Sequence, residues 1–350
     1  MKTLTAAFVL AGALAMAEPR REFIYEKAPF PSCHASTIVE TSPGEFLAAW
    51  FGGAAEGKPD VAVWGARRTA SGWSEPFEMA REPNIAAYNP VLFFTKDQVL
   101  WLYYKFGPSP QTWTAARLSS GDRGKTWSGV EHLPAGLLGP IKNKPLVLPD
   151  GTVVSGTSVE SYRSWACWVE RSTDNGRSWS KHGPITAPAP ASPGEGGPAT
   201  VPDSGAWRST HGTIQPAIVP LKGGKLRMFV RATADIGYVS FADSADGGRT
   251  WTAARATSLP NPNSGIDTVG LRDGRVLLVY NHTNRGRSPI NVAVSSDGDN
   301  WNSFLALETE AGEFSYPAVI QSADGNVHIT YTWKRVKIRH VEIPLAEIPK

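Results

Sequence analysis

The chain has 350 residues, of which 41% are hydrophobic and only 19% are charged, and it contains 13 tryptophans, 34 glycines and 28 prolines. This composition supplies a large apolar core and many turns, and its low charge excludes long solvated helices, coiled coils and charged tails. The net charge is +3, and basic and acidic residues are interspersed, so we expect no nucleic-acid partner, whereas an anionic substrate would be tolerated.

The first 17 residues are typical of a signal peptide. Lys2 precedes an apolar stretch at residues 6–16, and Ala15 and Ala17 form the small-x-small pattern of a cleavage site. We expect cleavage after Ala17 and a periplasmic or secreted mature protein that spans 18–350 as one domain. The apolar stretch is too short to cross a bilayer and no later segment is long enough, so we expect no membrane span.

A short turn between two apolar runs recurs six times along the chain. Three of the turns contain Asp-Gly, and the flanking runs are rich in Val, Ile, Leu, Phe and Tyr, which is typical of β-hairpins. The turns lie near residues 43, 97, 150, 223, 273 and 324, a period of about 50 residues with one longer interval. Such a unit supplies four short strands, so the repeats predict an all-β, six-bladed β-propeller with four-stranded blades.

Two parts of the chain fall outside this regular pattern. We expect the last blade to be completed by the final strand or by the segment Phe23–Phe30. The longer interval contains a Pro/Gly-rich stretch at Pro184–Gly205, which we interpret as a long loop of the fourth blade.

A second motif, S-x-D-x-G-x-x-W, follows most of the hairpins. Three full copies end at Trp127, Trp179 and Trp251, and a copy that is one residue shorter ends at Trp301. The Asp accepts hydrogen bonds from its own turn, the Gly permits a positive φ and the Trp packs against the blade, so the motif predicts a structural turn. This motif is the Asp-box, and the chain resembles the sialidase-like (BNR-repeat) β-propellers over almost its whole mature length.

Polar residues stand at comparable positions near the start of the first strand in every repeat. Because these starts gather at one mouth of a propeller, we expect a ring of His34, Asn89, Lys144, Gln215, Asp267 and Tyr316. The second strands return to the same face and bring Glu56, Glu160 and Arg231 there, beside Arg287. We interpret the ring as a ligand site. Taken singly, Asn89 also fits a strand cap, and Lys144 and Asp267 also fit ion pairs with nearby charges.

The resemblance implies roles for several of these residues. Sialidases of this fold bind a carboxylate with three arginines, attack with a tyrosine that a glutamate activates, and protonate the leaving group with an aspartate of the first blade. Arg231 and Arg287 match the second and third arginines, and Tyr316 matches the nucleophile. Glu56 falls near the position of the acid, with Asp60 as a substitute.

Two positions depart from the family pattern. His34 stands in the place of the first arginine, and Gln215 stands in the place of the activating glutamate. A glutamine cannot take up a proton, and an ordinary tyrosine has a pKa near 10, so another group has to activate Tyr316. Asp267, Glu160 and His34 are the candidates, and His34 is expected to titrate near neutral pH.

Three functions are consistent with these residues. The leading hypothesis is an exo-acting glycoside hydrolase for a terminal acidic sugar, sialic acid by family default, in which Arg231, Arg287 and Lys144 hold the carboxylate of an oligosaccharide or glycoconjugate. The second is a uronate lyase, in which His34 or Tyr316 removes the α-proton. The third is a secreted glycan-binding propeller without turnover, a reading that Gln215 supports.

Four aromatic residues on loops are candidates for stacking on a sugar ring, although packing within the blades is an alternative for each: Trp113, Tyr162, Trp165 and Trp207. We expect no cofactor and no metal, because the histidines are scattered without ligand spacing. Cys33 and Cys167 allow one disulfide in an oxidising compartment, but they lie in different blades and we expect free thiols. We expect a monomer.

Overall fold

Six antiparallel sheets arranged as a β-propeller make up the protein in the computed structural model, which describes residues 19–161, 164–188 and 211–350. Five sheets have four strands, and the sheet of the first blade has five. The first strands of blades four, five, six, one and two contact one another in that order and therefore line the centre of the ring. The predicted all-β, six-bladed propeller is confirmed.

The blades follow one another along the chain, after a first strand that belongs to the last blade, β1 (Arg20–Phe23). Blade one contains β2 (Ser32–Ser42), β3 (Glu45–Gly53), β4 (Ala62–Thr69), β5 (Gly72–Trp73) and β6 (Phe77–Ala80). Blade two contains β7 (Ala87–Phe94), β8 (Leu100–Phe106), β9 (Thr114–Ser120) and β10 (Glu131–His132). Blade three contains β11 (Leu146–Val147), β12 (Val153–Glu160), β13 (Trp165–Ser172) and β14 (Ser180–Ile185).

The remaining three blades have the same order of strands. Blade four contains β15 (Thr213–Pro220), β16 (Leu226–Ala232), β17 (Tyr238–Ser244) and β18 (Arg255–Pro260). Blade five contains β19 (Asp267–Gly270), β20 (Val276–Tyr280), β21 (Ile290–Ser295) and β22 (Asn302–Glu308). Blade six contains β23 (Phe314–Gln321), β24 (Val327–Trp333) and β25 (Lys337–Ile343) together with β1. Two short 3-10 turns lie at Lys222–Gly224 and Leu345–Glu347.

The ring is closed by β1, which pairs antiparallel with β25 as the outermost strand of blade six. This strand ends at Phe23, so it shares only that residue with the predicted closing segment Phe23–Phe30. The Phe23 ring packs edge-on against Trp333 of β24, with ring centroids 5.2 Å apart. The closing strand therefore begins three residues before the predicted segment and is held against blade six by this contact.

Glu22 of β1 joins the last blade to the first. Its Oε1 accepts hydrogen bonds from Arg68 Nε at 2.9 Å and Trp73 Nε1 at 3.0 Å, and it lies 3.0 Å from His340 Nδ1. The hydrogen bond with His340 lowers the pKa of Glu22 to about 2, and Arg68 acts in the same direction against the opposing effect of burial. The ionised carboxylate therefore holds the N-terminal strand in the ring.

Apolar side chains fill the spaces between adjacent sheets. Between blades one and two, for example, Leu47 and Val63 are buried in one cluster with Leu92 and Leu102. Leucine, valine and aromatic residues are frequent in these strands, as fits pleated surfaces that are buried between sheets. The blades thus form a rigid frame around the channel.

The Asp-boxes form turns between the third and fourth strands of their blades. In the first full copy, Ser120 Oγ lies 2.7 Å from Asp122 Oδ1, and the N–H of Gly124 donates to Ser120 Oγ at 2.7 Å. Gly124 has a φ of +83°, which only glycine adopts without strain. Hydrogen bonds from Thr126 hold the pKa of Asp122 far below its usual range. The antiparallel topology places these turns on the face opposite the starts of the inner strands.

Two other expectations concern the cysteines and the long loop. Cys33 and Cys167 are buried free thiols, as expected. The Pro/Gly-rich stretch joins β14 of blade three to β15 of blade four, and most of it, from 189 onward, lies outside the described residues, as do the predicted signal peptide, Tyr162 and Trp207.

Candidate active site

A cavity of about 520 Å³ lies at the mouth of the ring where the inner strands begin, and residues from all six blades line it. Its volume is in the range of sites for small molecules. Seven of the predicted site residues line the cavity: Glu56, Asn89, Glu160, Gln215, Arg231, Arg287 and Tyr316. Of the predicted ring at the strand starts, Asn89, Gln215 and Tyr316 line the cavity, whereas His34, Lys144 and Asp267 do not.

β-bulges near the starts of four inner strands determine the direction of several side chains. The register shifts in blades one, two, four and six, and the bulged residue in each has a positive φ: Ala35 (55°), Asn89 (42°), Gln215 (57°) and Tyr316 (52°). Non-glycine residues in this conformation are strained by roughly 1–3 kcal/mol each and are concentrated at functional sites. The bulges break the alternation of the strand and direct Asn89, Gln215 and Tyr316 to the cavity.

The Tyr316 hydroxyl is the centre of the site. Its Oη accepts hydrogen bonds from Arg231 Nη1 at 2.8 Å and from Gln215 Nε2 at 3.1 Å. The Arg287 guanidinium lies 5.6 Å from the centroid of the same ring. Two hydrogen-bond donors therefore converge on the Tyr316 oxygen, and a further positive charge lies beside its ring. Gln215, where the family has a glutamate, acts as a hydrogen-bond donor to the tyrosine.

Arg231 is held firmly by its neighbours. Its Nε donates to Asn263 Oδ1 at 2.7 Å, and its guanidinium stacks at 5.6 Å over Trp165. Asn263 also lines the cavity. No pattern in the sequence singles out Asn263, because it lies in the connection between blades four and five rather than on a strand.

Arg287 belongs to a chain of alternating charges. Its Nη1 donates to Glu313 Oε1 at 2.7 Å, and Arg335 Nε donates to the same oxygen at 2.8 Å. Arg335 also forms an ion pair with Glu56 Oε2. Burial opposes ionisation of Glu313, but the charges of Arg287 and Arg335 outweigh it and lower the pKa of Glu313. Sequence reasoning missed Arg335, which enters from the turn between β24 and β25.

Glu160, at the end of β12, is a cavity carboxyl with a raised pKa. Burial raises the pKa of Glu160 to about 7; the charge of Arg231 opposes this shift, and that of Glu56 adds to it. A carboxyl group of this kind exchanges a proton near neutral pH. Glu56 differs from it because Arg335 binds its carboxylate directly.

His34 does not line the cavity but lies beside Tyr316, with ring centroids 4.1 Å apart. In the blade register it precedes the bulged Ala35, so it is one position away from the ring in which the sequence placed it. It is 2% exposed, and neither ring nitrogen has a hydrogen-bond partner among the described residues. Burial, and then the nearby positive charges led by that of Arg335, hold the pKa of His34 well below its usual range. The expectation that it titrates near neutral pH is wrong.

Three other predicted residues lie away from the cavity. Lys144 Nζ donates to Asp267 Oδ2 and to the Thr268 carbonyl, each at 2.9 Å, which matches the ion-pair alternative. Asp267 Oδ2 also accepts from the N–H of Val319 at 2.8 Å, so it ties two inner strands together. Asp60 Oδ2 accepts from the N–H of Ala54 at 2.8 Å and shapes the loop that carries Glu56.

Lys142 forms part of the floor beneath the cavity. Its Nζ lies 5.7 Å from the centroid of the Tyr316 ring, and the side chain is buried. Burial lowers the pKa of Lys142 to about 7, against the attraction of Asp267. Lys144, two residues later, fits the sequence pattern in place of Lys142 because it precedes a proline, as Asn89 does.

Two of the aromatic candidates, Trp113 and Trp165, line the cavity. Across residues 19–161, 164–188 and 211–350, no helix has the length and apolar character needed to cross a membrane. Within the same ranges, no group of three or more His, Cys, Asp and Glu side chains is arranged to hold a metal ion.

Several solved structures share the fold of this chain over most of its length. A protein of unknown function from Dyadobacter fermentans is 16% identical with a TM-score of 0.74, and the match covers 92% of this chain and 97% of that one. The NanB sialidase of Streptococcus pneumoniae is 12% identical with a TM-score of 0.73, covering 94% and 71%. The intramolecular trans-sialidase of Ruminococcus gnavus is 14% identical with a TM-score of 0.69, covering 96% and 99%. At these identities the likeness concerns the fold alone.

A search of the curated proteins gave no match. The family model described as "BNR repeat-like domain" matches residues 44–329, which include all four Asp-boxes and most of the cavity. The resemblance to sialidase-like propellers that the Asp-boxes indicate is thereby confirmed. The chain belongs to the BNR repeat-like domain family.

Proposed function

We propose that this protein is an exo-acting glycoside hydrolase that releases a terminal acidic sugar, with sialic acid as the family default. The observation that carries the proposal is the Tyr316 hydroxyl, which lies in the cavity and accepts hydrogen bonds from Arg231 and Gln215. A tyrosine in such a setting is suited to attack, or to stabilise, a developing positive charge at an anomeric carbon.

Arg231 and Arg287 are the groups proposed to bind the carboxylate of the sugar. Both line the cavity, and the Nη2 atom of neither donates a hydrogen bond within the described part of the chain. Guanidinium groups bind carboxylates through paired, charge-assisted hydrogen bonds. The guanidinium groups of Arg231 and Arg287 lie 5.8 Å and 5.6 Å from the centroid of the Tyr316 ring, so a carboxylate bound by both would lie next to the reacting oxygen.

Glu160 is the proposed acid, in preference to Glu56 and Asp60. It lines the cavity, and its raised pKa leaves it partly protonated at neutral pH. Glu56 is bound to Arg335, and Asp60 is engaged by the backbone of its own loop.

The proposed reaction proceeds in two steps. In the first step Tyr316 Oη attacks the anomeric carbon, and its phenolic proton passes to the solvent as the new bond forms. The oxygen bonds to the anomeric carbon as the glycosidic bond breaks, and Glu160 gives its proton to the leaving oxygen. Glu160, now a carboxylate, then takes a proton from a water molecule that attacks the anomeric carbon and displaces Tyr316.

Removing Arg287 should weaken substrate binding strongly. We expect Arg287→Ala to lower kcat/KM for an acidic glycoside by about tenfold to 150-fold, because a charge-assisted hydrogen bond contributes roughly 1.5–3 kcal/mol. The measurement is the rate of release from an aryl glycoside of a sugar acid, set against the same glycoside with the carboxylate reduced to an alcohol.

Arg285→Ala is the matched control, because Arg285 is exposed on the same loop and does not line the cavity. The control should retain wild-type rates. Equal losses in the two variants, or equal losses on the charged and reduced glycosides, would contradict a carboxylate-binding role for Arg287.

The uronate lyase stays a second candidate because of Gln215. An amide that donates to Tyr316 Oη cannot accept its proton, and elimination does not require a glutamate-activated tyrosine. A binding propeller without turnover is the third candidate on the same observation. Identification of the reaction products distinguishes these three candidate functions.

A further inference from the structure

The segment Ile141–Asn143 crosses the central channel ahead of blade three. It is irregular, and it precedes β11, which has only two residues, whereas the inner strands of blades one, two, four and six have eight or more. All three residues are buried, with exposed fractions of 0%, 4% and 2%. In blade three an irregular segment that passes beneath the cavity thus takes the place of most of the inner strand.

This segment is hydrogen-bonded to the bulges of two neighbouring blades. Asn89 Nδ2, in blade two, donates to the Ile141 carbonyl at 3.2 Å. Asn143 Nδ2 donates to the Gln215 carbonyl, in blade four, at 2.9 Å. The bonds therefore reach two of the residues whose positive φ directs them to the cavity.

Lys142 extends the same pattern to blades five and six. Its Nζ donates to the Ile266 carbonyl at 3.0 Å, to Asn143 Oδ1 at 2.9 Å and to the carbonyl of Pro317, the residue after Tyr316. In its protonated form Lys142 Nζ has three N–H donors, and these three acceptors match them in number. The long Lys142 side chain can therefore form hydrogen bonds to three separate groups, which a shorter side chain would not reach.

We propose that Lys142 and Asn143 are positioning residues that hold the strained bulges of Tyr316 and Gln215 in register, so that the two side chains meet at Tyr316 Oη. The two bulges lie in blades six and four, which are joined directly neither by chain nor by a shared sheet. The segment connects the two bulges, because Asn143 binds the backbone at the Gln215 bulge and Lys142 binds the backbone at the Tyr316 bulge. The positional inference stands without the proposed reaction, and only its catalytic consequence rests on the proposed function.

The test uses Lys142→Met, which keeps the length of the side chain and removes its donors. The full chain is labelled with [13C]tyrosine, and the Tyr316 Cζ resonance is assigned among the nine tyrosines by its loss in Tyr316→Phe. We expect Lys142→Met to fold and to move the Tyr316 resonance. In the turnover assay we expect kcat to fall by about tenfold to a hundredfold with KM little changed, since a misplaced reacting group costs rate rather than binding.

Lys105→Met is the matched control. Lys105 is also fully buried, but among the residues that the structure describes its Nζ donates to the Pro140 carbonyl alone, at 2.5 Å, and to no residue at a bulge. We expect it to lower the melting temperature and to leave the Tyr316 resonance closer to its wild-type position than Lys142→Met does. If Lys142→Met does not fold, Asn143→Ala is read through the Tyr316 resonance in the same way.

The possible results separate the two proposals. A shifted Tyr316 resonance in Lys142→Met or Asn143→Ala, with a smaller shift in Lys105→Met, supports the positioning role even if no glycoside is turned over. A folded Lys142→Met protein with an unmoved Tyr316 resonance overturns it, and so does an equal shift in the Lys105 control. Absence of turnover in the wild-type protein counts against the proposed function alone.

Discussion

Replacing Tyr316 with phenylalanine should lower kcat by at least about a thousandfold, the scale of loss when an enzyme's nucleophile is removed. The phenol oxygen is the group that both Arg231 and Gln215 bind in the cavity. Phenylalanine keeps the ring that packs against His34, so the melting temperature should change little. The measurement is single-turnover and steady-state release of the acidic sugar, with thermal unfolding in parallel.

Tyr238→Phe serves as the control for the tyrosine substitution, because Tyr238 is 44% exposed and does not line the cavity. It should retain full activity. Turnover by Tyr316→Phe within a fewfold of the wild type would remove Tyr316 from the mechanism, whatever its effect on stability.

The second large effect is expected for Glu160→Gln. Loss of a general acid slows a reaction by about a hundredfold to ten-thousandfold, and the loss should be largest for glycosides whose leaving group needs protonation. An aryl glycoside with an acidic phenol as its leaving group should be affected least. The measurement is kcat/KM for a series of leaving groups of increasing basicity.

The pH dependence of the wild-type enzyme provides a second test of the role of Glu160. The acid has to be protonated to act, and burial raises the pKa of Glu160 to about 7, so kcat/KM should fall as the pH rises above 7. This limb should disappear in Glu160→Gln. Glu56→Gln is the informative comparison: Glu56 adds to the raised pKa of Glu160, so removing its charge should move the limb to lower pH without abolishing it.

If kcat/KM of Glu160→Gln still falls above pH 7 as it does in the wild type, another group donates the proton to the leaving oxygen. If the limb vanished in Glu56→Gln instead, the acid role would return to the blade-one loop, as the family resemblance implies.

The sequence determined the architecture because its signals are local and repeated. Each hairpin turn and each Asp-box lies within a few residues of its partners, as Ser120, Asp122 and Gly124 illustrate. Repetition of these units also fixes where the strands begin, so the arrival of Gln215, Arg231 and Tyr316 at one mouth followed from alignment alone.

The details of the site depend on long-range geometry that no local pattern contains. A bulge at Ala35 displaces His34 by one position, which is enough to take its side chain out of the ring. Arg335 reaches Glu56 from a turn 279 residues away along the chain. Lys142 acquires its partners only because blade three gives up its inner strand, so the sequence pattern pointed to Lys144 instead.

The most direct test of the proposed function is mass spectrometry of the products after the purified protein is incubated with mixed sialylated and uronate-terminated oligosaccharides. Hydrolysis adds the mass of one water across the two products, and elimination adds none. The account predicts a released, saturated acidic sugar together with the shortened oligosaccharide. An unsaturated product, or an oligosaccharide that is bound by the protein but never cleaved, would contradict it.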